Sequence, residues 1–269
     1  MPRPRELHDK FFKLAKQEGY AARSAYKLLE IQERQRVIKP GDWVLDLGCA
    51  PGSWLQVASE LVNTFGRVVG IDLEAVTISL PEHVRTFVGD AFKVTPQRLV
   101  QQVNDDASAE PGRTAFRYHV VLSDMAPATT GTPMADHFRS VELCRRVLIL
   151  AEDVLEPGGN LVMKVFEGEA YPDLLKECQA TFRFAKGLRP EAVRDVSREI
   201  FIMCFGYKDV EPVILDETGA PKPKSKKKPR PIGDGPAKAK AKRKPKFKPR
   251  FANPTATPSK KTKRRPKGN

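Results

Sequence analysis

No stretch of the 269 residues comes near a membrane-spanning helix, which needs roughly 18 consecutive apolar residues. The opening segment, MPRPRELHDKFFKLAKQEGY, has no apolar centre and mixes acids with bases, so it resembles neither a secretory nor an organellar targeting segment. Cysteine is scarce: the four residues Cys49, Cys144, Cys178 and Cys204 are far apart, and none falls in a C-x-x-C pair. That pattern disfavours a disulfide framework or a zinc site and fits reduced thiols in a cytoplasmic protein, so no metal centre is expected. Aliphatic residues are nearly missing from the C-terminal stretch, where PKPKSKKKPRP, AKAKAKRKPKFKPR and TKRRPKGN alternate Lys, Arg and Pro. Such a segment buries too little apolar surface to offset the entropy of ordering, and residues 210–269 are expected to be disordered.

The net charge of +14 is unevenly spread. Residues 210–269 hold 20 Lys+Arg against 4 Asp+Glu, while residues 1–209 hold 27 against 29. Within the latter, residues 1–40 carry 10 bases and 5 acids, and residues 41–209 carry 17 and 24. A basic, helix-forming N-terminal segment (1–40), an acidic domain (41–209) and a Lys/Pro-rich tail (210–269) are therefore expected. The tail reads either as a solubilising extension or as a polyelectrolyte arm that neutralises nucleic-acid phosphates without sequence preference.

Between residues 41 and 209, strand-like and helix-like segments alternate. WVLDLG is followed by an amphipathic SWLQVASELV, then by RVVGIDL, TFVGDAF and HVVLSDMAP. A long helical pattern, SVELCRRVLILAEDVL, leads through the turn EPGG to NLVMKVFEG, a helical YPDLLKECQATF, and EIFIMCFGY. The alternation predicts an α/β fold with a doubly wound, mostly parallel sheet. Its ligand crevice is expected at the carboxyl ends of the strands. QQVNDDASAEPGRTAFRY (101–118) reads as a surface connection.

The loop in LDLGCAPGSW carries Gly48 and Gly52 where the first strand turns into a helix. Its G-x-x-x-G spacing matches neither the dinucleotide fingerprint nor a Walker loop, which makes NAD and ATP poor fits. Asp46, Asp72 and Asp90 close three successive strand segments, and an acid after the second strand is placed to accept hydrogen bonds from ribose hydroxyls. The alternative is that each glycine serves a turn and each Asp caps a helix. Together the set suits a ligand with an adenosine and a positive charge, which S-adenosylmethionine has.

Four further residues draw notice. Asp124 ends the fourth strand in SDMAPATTGTP, a loop type that commonly carries function. Lys164 interrupts the apolar strand NLVMKVFEG, where an unpartnered ammonium would be expensive to bury. Glu199 opens the last strand. Lys27 lies on a helix whose apolar stripe, Ala25, Leu28 and Leu29, leaves it on the flank. Taken alone, Lys27 is a solvated helix lysine and Glu199 an ordinary strand-edge acid.

YKLLEI, VLDLGCAPGSW, GID, VGDAF, SDMAPATTGTP, VMKVFEG and SREIF occur in one order over residues 8–208. In that order and context they resemble the FtsJ/RlmE family of RNA ribose 2'-O-methyltransferases. The resemblance implies a Rossmann-like S-adenosylmethionine-dependent methyltransferase fold. It also implies a catalytic Lys-Asp-Lys-Glu tetrad, here Lys27, Asp124, Lys164 and Glu199. Cofactor contacts are implied at Gly52, Trp54, Asp72, Asp90 and Asp124. The implied substrate is a uridine of large-subunit ribosomal RNA, methylated during ribosome assembly by a monomer. Three features depart from the pattern: CAPGSW in place of A-A-P-G-G-W, VFEG in place of V-F-Q-G, and the basic tail. Ser53 resembles the branch acting on tRNA anticodon loops, so tRNA is the alternative substrate. A non-catalytic RNA-binding assembly factor and a small-molecule methyltransferase are further alternatives, which the tetrad disfavours.

Methylation of a ribose hydroxyl needs alignment and removal of a proton. A lysine accepts that proton only as a neutral amine, which an apolar strand and a second ammonium favour and two carboxylates oppose. The expectation is that Lys164 is the base or the orienter of the hydroxyl. Lys27 and Glu199 would align it, and Asp124 would link it to the cofactor. Arg3, Arg5, Lys10, Lys13, Lys16 and Arg23 would form a phosphate-contacting surface.

Overall fold

The computed structural model of the chain describes residues 10–104, 117–193 and 197–208. Arg3, Arg5, most of the 101–118 connection and the 210–269 tail lie outside the described residues. The chain runs α1 (Lys10–Glu18), α2 (Ala25–Gln35), β1 (Trp43–Leu47), α3 (Ser53–Val62), β2 (Arg67–Asp72), β3 (Val84–Val88) and α4 (Pro96–Asn104). It continues through β4 (Tyr118–Ser123), α5 (Pro133–Val154), β5 (Leu155–Phe166), α6 (Tyr171–Thr181), β6 (Phe182–Leu188) and β7 (Glu199–Tyr207).

The strands form one seven-stranded sheet in the order β3-β2-β1-β4-β5-β7-β6. β3, β2, β1, β4 and β5 pair in parallel, and β7 is antiparallel to both β5 and β6. The chain leaves β1 toward β2 and β3, then returns to place β4 on the other side of β1. Strand order reverses there, so a crevice opens at the carboxyl ends of β1 and β4.

Alternation along the strands builds two cores. Leu45, Leu47, Val121, Leu161, Met163, Val165, Ile202 and Cys204 face α4, α5 and α6. Val44, Val120, Leu122, Val162, Phe201 and Met203 face α1, α2 and α3. Full burial of one such side chain contributes roughly 1.5–3 kcal/mol, which is why continuous Val/Ile/Leu runs hold the central strands. Ala25, Leu28 and Ile31 of α2 enter the second core together with Ala15 and Tyr20, so residues 10–40 pack into the same fold.

The mostly parallel sheet agrees with the expectation, while several local elements differ. The edge strand β6 was not legible as a strand, because FRFAKGL exposes Arg183 and Phe184 and carries no continuous apolar run. EPGG does not leave the sheet: it lies inside β5, where the β4–β5 register shifts between Tyr118 and Val120 and Gly158 adopts φ 91°. α5 starts at Pro133, seven residues before the apolar pattern does. Asp90 stands two residues beyond the end of β3. Asp46 lies inside β1, one residue short of its end, rather than closing it.

Candidate active site

Period-two alternation places Lys164 on the same face of β5 as Val162, the face covered by α2 and α3. Ser123 pairs with Met163, so Asp124, the next residue, emerges beside Lys164. On the other side Lys164 pairs with Phe201, and Phe166 pairs with Glu199, which brings the start of β7 to the same corner. α2 then lays Lys27 across the top. Lys27 and Lys164 are each only 7% exposed.

The four charges alternate. Lys164 Nζ lies 2.9 Å from Asp124 Oδ1 and 4.0 Å from Glu199 Oε1. Lys27 Nζ donates to Glu199 Oε2 at 2.7 Å and lies 3.7 Å from Asp124 Oδ1. Lys164 also donates to the Asp124 backbone carbonyl at 2.6 Å, which fixes the amine against the end of β4. Two ammoniums and two carboxylates sum to zero, the condition under which such groups tolerate burial. The Phe201 ring, 5.6 Å from Lys27 Nζ, forms an aromatic floor with Trp54. The flank position expected for Lys27 is corrected by this packing: β7 covers the helix face that the local stripe leaves open.

Burial pushes the Glu199 carboxyl up, but the Lys27 and Lys164 ammoniums and the Lys27 hydrogen bond outweigh it, and the group is held below the ordinary glutamate range. A carboxyl depressed in the folded state adds stability that is present above its unfolded pKa and lost as pH falls through the folded one. The stability difference between the wild type and Glu199→Gln is therefore expected to be largest near neutral pH and to close on acidification. Urea midpoints measured over a pH series check this, and a constant difference would show that Glu199 is not coupled to the lysines.

Beside the tetrad lies a cavity of about 360 Å³, lined by Gly48, Ala50, Asp72, Asp90 and Phe92 and, on the tetrad side, by Asp124. Gly48 has φ 81°, and a Cβ there would lie 2.3 Å from Met125 Cγ, so the loop passes Met125 too closely for any side chain. Gly52, at φ 110°, caps α3, which points the free amides of its first turn toward the loop. Asp72 accepts from the Ala50 amide at 2.8 Å and from the Glu74 amide at 3.0 Å, and Asp90 accepts from the Phe92 amide at 2.9 Å. Asp72 and Asp90 each shape a turn rather than cap a helix, and each lines the cavity.

Trp54 stands apart. Its indole is buried in the second core, and its Nε1 donates to the Ser24 carbonyl at 2.9 Å. A contact from Trp54 to a ligand in the loop therefore falls to its backbone. Ser53 is also buried, its hydroxyl 2.6 Å from that of Ser24, so its side chain serves the α2–α3 junction. Arg23 donates to the Ala192 carbonyl, whereas Lys10, Lys13 and Lys16 lie exposed along α1.

Sequence reasoning did not find three supporting residues. Met125 packs against Gly48, and the buried Cys144 thiol donates to the Lys164 carbonyl at 3.0 Å. His137 joins the Phe166 carbonyl (2.7 Å) to the Ala170 amide (3.0 Å), bracing the turn after β5. For Met125 the adjacent Asp124 was a signal. For Cys144 and His137, both on α5, the contacts are with residues 20 and 33 positions away or fewer, and no local pattern marks them.

The FtsJ-like methyltransferase family profile matches residues 20–207. The chain is 40% identical over 200 residues to the ribosomal RNA large subunit methyltransferase E of Desulfatibacillum aliphaticivorans, covering 74% of this chain and 91% of that one. To the protein of the same name from Syntrophobacter fumaroxidans it is 43% identical over 197 residues, or 73% and 94% of the two chains. Among solved structures, a ribosomal RNA methyltransferase from Plasmodium falciparum superposes with TM-score 0.60 at 25% identity, covering 70% of this chain and 98% of that one. With the profile spanning well over half of its length, and both ends of the tetrad inside the match, the chain belongs to the FtsJ-like methyltransferase family.

Proposed function

We propose that the chain is an S-adenosylmethionine-dependent RNA ribose 2'-O-methyltransferase acting on a uridine of large-subunit ribosomal RNA, as a cytoplasmic monomer, during ribosome assembly. The observation that carries this reading is Asp124, which lines the cofactor cavity and ion-pairs with Lys164 in the tetrad. The names of the 40–43% identical relatives support the choice of RNA. All four tetrad residues come from a single chain, so a monomer suffices to build the site. Among the described residues no helix is long and apolar enough to cross a membrane.

The cavity residues fit the cofactor. Asp72 and Asp90 would accept hydrogen bonds from the ribose hydroxyls, the loop from Gly48 to Gly52 would admit close backbone approach, and Trp54 would offer its amide in the first turn of α3. When bound, S-adenosylmethionine supplies a methyl group on a sulfonium, an electrophile that needs no further activation. The chain supplies alignment and the proton path. Lys164, with Asp124 Oδ1 at 2.9 Å and Glu199 Oε1 at 4.0 Å, stands at the mouth of the cavity as the base or the orienter of the 2'-hydroxyl. Lys27 keeps Glu199 in place by its 2.7 Å hydrogen bond.

The RNA surface is α1, where Lys10, Lys13 and Lys16 share an outward face with Phe12, itself half exposed. Replacing the three lysines by alanine is expected to weaken RNA binding and to reduce the slope of log K against log salt by about 2, at roughly 0.7–0.9 for each lost phosphate contact. An unchanged slope would move the RNA surface elsewhere. The tail, outside the family match, remains a candidate second arm.

Methyl transfer from labelled cofactor to separated large and small subunits, free ribosomal RNA and tRNA tests the whole reading. Label in the large-subunit RNA, protected from alkaline cleavage at one nucleotide, is the expected result. Label in tRNA alone would overturn the substrate. The names of the relatives do not favour the tRNA alternative.

A further inference from the structure

Asp46 is 0% exposed, and among the described residues it is the only carboxylate with both oxygens buried and unmatched by a hydrogen bond. Its Cα partners are Gly70 on β2 and Leu122 on β4. Alternation along β1 turns it to the face of Val44, the same face on which Lys164 stands two strands away. The charged groups that act on it from the packed elements are acids: Asp124 at the end of β4 and Asp72 at the end of β2. The Cys49 thiol on the following loop is pushed up by burial, Asp46 and Asp72. The lysines of the same face, Lys27 on α2 and Lys164 on β5, are taken by Glu199 and Asp124.

An uncompensated carboxylate in such a place costs several kcal/mol, and the usual escape is to keep the proton. Burial first, then Asp124 and Asp72, push this carboxyl well above the ordinary aspartate range. Only a positive charge brought from outside reverses that preference. The adjoining cavity, two residues further along at Gly48 and flanked by the same Asp72 and Asp124, is where such a charge arrives. We propose that Asp46 is a positioning residue that gives up its proton to solvent when the positively charged cofactor enters the cavity, so that cofactor binding is proton-linked and strengthens as pH rises. The inference rests on the cavity's being the S-adenosylmethionine site. It assigns a role to a residue outside the tetrad and outside the cofactor contacts carried over from the family.

Isothermal titration of the full chain with S-adenosylmethionine, in buffers of different ionisation enthalpy at one pH, counts the protons exchanged. Up to one proton released per cofactor is expected, with affinity rising by up to about tenfold per pH unit while Asp46 is protonated in the free protein. S-adenosylhomocysteine, which lacks the sulfonium charge, should release fewer. In Asp46→Asn the release and the pH slope should both disappear. Equal proton release by the wild type and Asp46→Asn, with both binding, overturns the proposal and leaves the cofactor reading standing. If the wild type binds no cofactor, both fall. Should Asp46→Asn fail to fold, infrared difference spectra of the wild type decide: a protonated-carboxyl band must vanish on adding cofactor, and a spectrum without that loss overturns the proposal.

Discussion

Lys164→Met is expected to lower methyl transfer by about 10²–10⁴-fold, the usual worth of a positioned proton-transfer group, with cofactor affinity within a few-fold of wild type. Methionine keeps the length of the side chain and suits a strand whose neighbours are Met163, Val165 and Phe201, so the substitution removes the amine with little loss of packing. Stability is affected less than activity. Breaking a buried ion cluster on one side usually costs about 3–5 kcal/mol, because a charge is stranded. Here Lys27 Nζ, 3.7 Å from Asp124 Oδ1, still faces the stranded carboxylate, and Asp124 borders the open cavity. Single-turnover rates, cofactor affinity and melting curves for Lys164→Met separate these effects. Turnover close to wild type, with fold and cofactor binding intact, would remove Lys164 from the mechanism.

The other large effect is expected from a single methyl group. Gly48→Ala forces an L-residue to φ 81° and puts a Cβ 2.3 Å from Met125 Cγ and 3.2 Å from Met125 Cα. The left-handed conformation alone costs roughly 1–2 kcal/mol. The contact adds a displacement of the loop against the end of β4, for a total of about 2–4 kcal/mol. At the size of this domain that corresponds to a melting decrease of roughly 5–15 °C. Because the same loop borders the cavity and Met125 follows Asp124, cofactor affinity should fall by at least about tenfold. Adding Met125→Ala should restore the part due to the side-chain contact and none of the part due to φ. Wild-type melting and affinity in Gly48→Ala would show that the loop yields to the added methyl group without cost.

The legibility of this site in the sequence differs from residue to residue. Asp124 and Lys164 were recognisable as a pair because adjacent parallel strands deliver their carboxyl ends to one edge, and both lie at such ends. Asp72 was recognisable for the same reason. Glu199 and Lys27 carried no local sign of function: each becomes part of the site through contacts between distant segments, the widest spanning 172 residues, Lys27 Nζ to Glu199 Oε2. Only the match of whole motifs, not spacing or periodicity, brought them into the set. Trp54 shows the opposite limit, since motif matching marked the position while packing turned its indole away from the cavity.

Composition and pattern by themselves determined the class of the molecule. Alternating strand and helix patterns and Val/Ile/Leu-rich central strands specify a covered, mostly parallel sheet, because apolar burial and backbone pairing depend on local order along the chain. They determined as well that the basic excess belongs to the tail. Tertiary structure decided the rest: the antiparallel β7 between β5 and β6, the burial of Lys27, the confinement of Ser53 to a helix junction, and the isolation of Asp46 among acids. Each depends on which distant group occupies the last few ångströms around a charge. Electrostatic and hydrogen-bond energies change by several kcal/mol over that range, whereas the apolar pattern that sets the fold is indifferent to it.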